Sequence, residues 1–287
     1  MSQSVESAPR HAPGLAPLLD ALDLEQIELD IFRSRAATQP GQRLFGGEVC
    51  AQALVAAERT ADEKTRPHSL HAYFLRPGDT GARVVFRVDR LQEGRNFKRR
   101  RVTAIQHGEP ILCLECSFTT DRSGTAYQVE MPAASAPEDG RRIRVPHPSA
   151  WQVQPSAAFD LRPANATNAG GVSPRYLDNL WFRPIGNDLG GRVSPEAVIT
   201  YFSDLGLISV LKRRYQRADV TGMTSLDHVL WFHNAVRLDD WLLYAKSTPA
   251  VSDLRGLAEG RIFHRDGTLI ASVAQEGLLH GKTKKED

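Results

Sequence analysis

The most apolar helical pattern in the chain runs through "SPEAVITYFSDLGLISVLKRR", residues 194–214. Ser194 is placed to cap it, Pro195 suits a first turn, and Glu196 complements the positive end of a helix. Val198, Ile199, Tyr201, Phe202, Leu205, Leu207, Ile208, Val210 and Leu211 then cover nearly every face. That pattern predicts a helix buried on all sides. Asp204 stands inside it. A carboxylate there is paired, protonated or chemically employed, because burying an unpaired charge is costly.

The other patterns occur twice in the same order. "FGGEVCAQALVAAERT" (45–60) reads as two glycines leading into a short Ala-rich helix. "HSLHAYFLRPGD" (68–79) and "ARVVFRVDRLQEG" (82–94) read as strands, and "RNFKRRRVTAIQHGEPILCLECSF" (95–118) as a hairpin turning at "QHGEP". In the second half the apolar helix is followed by "TSLDHVLWFHNAVRLDD", "WLLYAKSTPAVSD" and "LRGLAEGRIFHRDGTLIASVAQEGLL", where "HRDGT" takes the hairpin place. Matching landmarks lie about 156 to 159 residues apart. Each half is thus one helix followed by an antiparallel meander, an α+β plan in which a curling sheet buries the helix.

The boundaries that follow are a mobile leader at 1–18, a first repeat at 19–120, a linker or covering loop at 121–173, a second repeat at 174–281 and a charged tail at 282–287. Pro, Ala, Gly and Ser dominate the central stretch, which predicts little regular structure there. "YLDNLWFRPIG" (176–186) is expected to open the second half as its first strand.

Composition narrows the function classes. The 287 residues are 41% apolar, enough for a sizeable core, and 36 basic against 34 acidic residues give a net charge of +2. No global field for a polyanion follows, and the basic run "KRRR" (98–101) stands alone, so nucleic acid is not an expected partner. No apolar run reaches the ~18 residues of a membrane span. The start lacks the apolar middle of a signal peptide, so "NAT" at Asn165 carries no glycosylation reading, and a cytoplasmic location is expected. Three cysteines make no disulfide framework. Cys113 and Cys116 fall on opposite faces of one strand, which predicts packing rather than a metal or redox pair.

The motifs "FGGEVCAQAL", "HSLHAYFLRPGD", "GRNFKRRRVTAIQHGEPI", "YFSDLGLI", "SLDHVLWFH", "DDWLLY" and "GTLIASVAQEGLL" together resemble the acyl-CoA thioesterase II family, which includes bacterial enzymes and peroxisomal ones of eukaryotes. The resemblance covers about residues 20–280 apart from the linker. It implies a double hotdog fold, an acyl-CoA substrate, a homo-oligomer (dimer or tetramer), and hydrolysis to free acid and coenzyme A without cofactor, metal or covalent intermediate. It also implies three catalytic residues that hold and activate water: Asp204 in "YFSDLG", Ser225 in "SLDH" and Gln275 in "VAQEG". The family usually has Gln where this chain has Glu48 in "FGGEV". Glu48 either adds a charge near a site or solvates a helix start.

Thioester hydrolysis needs a water nucleophile, a proton acceptor and donors for the developing oxyanion. Asp204 suits the acceptor role, and backbone N–H groups near Gly206 or at the Gly46-Gly47 helix start are candidates for the carbonyl oxygen. Arg99 and Arg100 are candidates for the phosphates of coenzyme A, against the alternative of a charged, solvated edge strand. On one continuous strand Ser225 and Asp227 share a face and His228 points away, which removes His228 as a base for Ser225. No G-x-S-x-G elbow is present either. In the first half, Cys116 falls near the Gln275 place and Gly46-Gly47 near the Asp204 place, so one working site per chain is expected unless Glu48 supplies a second. Two other functions compete: an enoyl-CoA hydratase of the same fold, and a non-catalytic acyl-CoA binding protein.

Overall fold

A computed structural model describes residues 14–35, 41–120, 124–145, 153–164, 178–186, 188–215 and 220–281. The first thirteen residues of the leader, the tail at 282–287 and Asn165 lie outside them. The first half runs α1 (Ala16–Leu22), β1 (Leu24–Glu28), β2 (Ile31–Ser34), α2 (Gly46–Glu58), β3 (Thr65–Phe74), β4 (Val85–Glu93), β5 (Phe97–Gln106) and β6 (Glu109–Thr120). The second runs α3 (Pro155–Ala158), β7 (Phe159–Pro163), β8 (Asn179–Pro184), α4 (Pro195–Ser203), α5 (Ser209–Arg214), β9 (Val220–Ser225), β10 (Asp227–Phe232), β11 (Leu242–Ser252), β12 (Arg255–His264) and β13 (Leu269–Gly281).

Among the described residues these strands form one sheet, in the order β1-β2-β4-β5-β6-β3-β10-β13-β12-β11-β8-β7, with β9 also on β13. The halves join at β3 and β10, which pair Leu70 with Leu230, both fully buried. The β5–β6 turn uses positive φ at His107 and Gly108, as a two-residue hairpin requires. Helix α2 is buried from Gly47 to Ala57, which its Ala-rich sequence permits at close approach. It packs against β3 to β6 and against α4. One apolar cluster, from Leu18 through Leu54, Phe118 and Phe202 to Val273, spans both halves. No described helix is long and apolar enough to cross a membrane.

The leader, expected to be mobile as far as residue 18, is folded at its end, where α1 begins at Ala16 and Leu15 and Leu18 are buried. Three other sequence expectations change. The apolar run at 194–214 is two helices, because Gly206 adopts φ +68° and breaks it. Asp204 is the C-cap of α4, beside that break. The stretch 121–173 is not all loop: α3 and β7 lie in it, and β7 extends the sheet on β8. Residues near Met131 and Ala134 cover a second apolar cluster of Trp181, Trp241, Leu243, Phe263 and Leu269. The Trp181 Nε1–H donates to the Ser135 carbonyl at 2.7 Å. That apolar face needs a cover, and an irregular segment supplies it. Thirdly, the "SLDH" strand is interrupted. Ser225 ends β9 opposite Gly277, while Val229 in β10 is opposite Ala274, so one extra residue enters at Leu226. That insertion turns His228 inward, where it is fully buried, and overturns the expectation that it points away.

Candidate active site

Asp204 closes α4, at the negative end of a helix dipole, which disfavours a carboxylate. The compensation comes from the other half. The N-terminus of α2 meets it there, and the Gly47 N–H donates to Asp204 Oδ2 at 2.7 Å. At the opposite end of the helix pair, Ser194 at the start of α4 donates its hydroxyl to Glu58 Oε1 at the end of α2, at 2.7 Å. The two helices therefore run antiparallel, and each C-terminus presents a carboxylate to the other's N-terminus. Glycine is needed at 47 because a Cβ there would sit 2.5 Å from the Tyr201 carbonyl oxygen.

Gln275, fully buried on β13, brings the three sequence-predicted residues together. Its Nε2 donates to Asp204 Oδ1 at 2.6 Å and to Ser225 Oγ at 2.8 Å. Both amide hydrogens are thereby used on protein partners. Asp204 and Ser225 reach a cavity of about 940 Å³, with Gly46 on the same wall. Phe45, Val49, Phe74, Ile111, Leu205 and Met223 make apolar parts of its lining, and Arg43 and Arg76 also face it. Gln275 stands behind Asp204 and Ser225 rather than on the wall. Among the described lining residues Asp204 carries the one carboxylate.

The expected backbone donors separate. The Gly47 N–H is committed to Asp204, so it is not free for a substrate oxygen. Gly46 lines the cavity, and its N–H sits in the first turn of α2, where no intrahelical acceptor exists. The two arginines also fall away from the site. Neither Arg99 nor Arg100 lines the cavity. Arg100 is 1% exposed and clamps the end of α2. Its Nε donates to Thr60 Oγ at 2.8 Å and its Nη2 to the Thr60 carbonyl at 2.9 Å, and it pairs with Glu93. A buried guanidinium with those partners is structural. No local pattern signals this, since only the fold brings Thr60 beneath β5.

The first half has positional counterparts of these residues, but not where the repeat alignment put them. The counterpart of Asp204 is Glu58, not Gly46-Gly47, as the reciprocal helix contacts show. Burial pushes the Glu58 carboxyl up to about 8, against the lowering effect of its Ser194 bond. Cys116 occupies the Gln275 place, opposite Leu70 on β3 and Arg100 on β5. Its thiol is pushed up by burial first and by Glu58 second.

Glu48 lies on α2, is buried, and does not line the cavity. Burial pushes its carboxyl up to about 7. A raised acid favours folding in its protonated form. Its contribution is fully present below the unfolded value near 4.5 and is lost as pH rises through 7. Glu48→Gln is therefore expected to match wild type in stability below about pH 4.5 and exceed it by about 3 kcal/mol at pH 8. Turnover should barely change. Urea unfolding of both proteins across that pH range checks the first statement. A large loss of turnover in the variant would contradict the second.

These features define a class: two antiparallel helices, each wrapped by a meander, with the meanders fused into one sheet and one Asp-Ser-Gln cluster at the helix junction. This is a double hotdog. The chain belongs to the acyl-CoA thioesterase family, whose N-terminal domain model matches residues 34–120 and whose C-terminal domain model matches residues 132–279. It is 34% identical to human acyl-coenzyme A thioesterase 8 over 91% of this chain and 88% of that protein. It is 34% identical to acyl-CoA thioesterase 2 of Haemophilus influenzae over 91% of this chain and 96% of that one. Among solved structures, an acyl-CoA thioesterase II from Mycobacterium marinum superposes with a TM-score of 0.76 at 36% identity, covering 92% of this chain and 98% of the other.

Proposed function

We propose that the chain hydrolyses fatty acyl-CoA to a free acid and coenzyme A by direct attack of water. The observation that carries this is the cavity wall where Asp204 and Ser225 stand side by side, both bonded from behind by Gln275. Each Asp204 oxygen accepts one internal hydrogen bond, from Gly47 or Gln275. The carboxylate keeps further acceptor capacity toward the cavity. A water there gives its proton to Asp204 while its oxygen bonds to the thioester carbon. The C–S bond then breaks and the proton passes from Asp204 to the departing thiolate. The Gly46 N–H, on the cavity lining at the positive end of α2, binds the carbonyl oxygen in this scheme.

Ser225 acts as a donor rather than a nucleophile in this scheme. Its Oγ accepts from the Gln275 amide, and an amide nitrogen cannot take a proton from it. The hydroxyl hydrogen remains to orient water or substrate. Ser225→Thr is expected to stay active and Ser225→Ala to be slow. Intact-protein mass spectrometry of wild type during turnover should show no acyl adduct. A trapped adduct on Ser225 would replace water attack with nucleophilic catalysis.

The test of the activity is thiol release from decanoyl-CoA, with crotonyl-CoA hydration measured beside it. Thiol release alone supports the proposal. Hydration without thiol release would make the chain a hydratase, and binding without either would make it a non-catalytic acyl-CoA protein.

A further inference from the structure

His228 is fully buried on β10 and plays no part in the scheme above. The β10–β13 register pairs Val229 with Ala274 and Leu230 with Val273. Continued by one residue, it sets His228 opposite Gln275. At this site two polar atoms are buried without a hydrogen bond in ordinary geometry: His228 Nδ1 and Gln275 Oε1. One is a potential donor and the other an acceptor, and the Gln275 side chain is among the groups that raise the proton affinity of the ring. On its other side, His228 Nε2 lies 2.8 Å from Ser203 Oγ.

We propose that His228 is a positioning residue, held by Ser203 as the tautomer with hydrogen on Nδ1, which it donates to Gln275 Oε1 to fix the Gln275 amide. The proposal rests on the water-attack reading and extends it to the residue that holds Gln275.

The amide orientation matters because a flip would put Oε1 where Nε2 now meets Asp204 Oδ1 at 2.6 Å. Two acceptors would then face each other, and Asp204 and Ser225 would both lose their shared donor. The opposite His228 tautomer favours that flip, since it points a lone pair at Oε1. Burial lowers the basicity of His228, and the charges of Asp204 and Asp227 and the Gln275 bond oppose that effect. A neutral ring has one hydrogen, and Gln275 Oε1 can only accept, so a bond between the two unpaired atoms requires it on Nδ1. Ser203 Oγ lies 2.8 Å from His228 Nε2 and 2.9 Å from the Thr200 carbonyl, and its one hydrogen can serve either of them. Donation to Nε2 leaves the ring hydrogen on Nδ1. Tyr244 adds a brace, donating its hydroxyl to the Ser203 carbonyl at 2.6 Å. The first half supports the pairing by contrast: Leu70 and Cys116 face each other on β3 and β6. There the imidazole and the amide are both replaced, in the half whose cavity-lining trio is missing.

Two measurements test this. In 15N-histidine-labelled wild type, the His228 signals, assigned by their loss in a His228→Asn sample, should show a protonated Nδ1 and an unprotonated Nε2. The reverse pattern would overturn the proposal, and this readout does not depend on turnover. In the thiol-release assay, His228→Leu should lower kcat about ten-fold with KM nearly unchanged. His228→Asn, whose amide N–H stands near the lost Nδ1–H, should recover most of it. The Leu effect should vanish in a Gln275→Ala background. An undiminished Leu effect in that background would reduce His228 to a core residue, as would equal losses in Leu and Asn. Loss of thiol release by wild type itself would instead strike the underlying reading and leave the tautomer result standing.

Discussion

Asp204→Asn is expected to lower kcat for thioester hydrolysis by about 10²–10⁴-fold, the usual loss when a general base is removed. Asn has nearly the same shape but cannot take the proton of water. The structure adds a second consequence. Asp204 accepts from the Gly47 N–H on one oxygen and from Gln275 Nε2 on the other. Asn offers one oxygen, so one of these buried donors meets an NH2 group instead. The cost is about 1–3 kcal/mol of stability, which lowers the melting temperature while leaving the fold in place. Steady-state turnover and a thermal melt on the same preparation separate the two effects. A folded variant that keeps more than roughly a tenth of wild-type turnover would show that Asp204 is not the base.

Gly47→Ala is expected to damage both stability and turnover without touching any side chain of the trio. The added Cβ would lie 2.5 Å from the Tyr201 carbonyl oxygen, which is backbone of α4 and cannot swing aside. The helices must part at the point where the Gly47 N–H reaches Asp204. Overpacking of this kind costs about 1–3 kcal/mol. A shift of about 1 Å in a positioned base can cost roughly 10²-fold in rate. The expected outcome is a lower denaturation midpoint together with a kcat reduced by about that factor. Normal turnover in a destabilised Gly47→Ala protein would show that Asp204 does not depend on the α2 N-terminus for its placement.

Much of this protein was legible in one dimension. Helical periodicity marked α2 and α4, and alternation and turn residues marked β3 to β6 and β10 to β13, because these signals depend on neighbours a few residues away. The repeat gave two halves of one plan. Asp204 announced itself as a carboxylate in an apolar run, and the motif resemblance pointed to Ser225 and Gln275, which the fold brings within hydrogen-bonding distance of one another through Gln275. What the sequence could not decide depends on contacts between distant segments. Gly47 and Asp204 are 157 residues apart, so nothing local shows that one glycine N–H is taken and the neighbouring one lines the cavity. Arg100 reads as a surface charge until Thr60 is placed under it. The equivalence of Glu58 with Asp204 required the antiparallel helix pair, since helix lengths differ and sequence offset misaligns their ends. The one-residue insertion at Leu226 has no composition signal, yet it decides which way His228 faces. Local propensity fixes which elements form, but the partner of a buried polar atom is set by the packing of the whole sheet around the two helices.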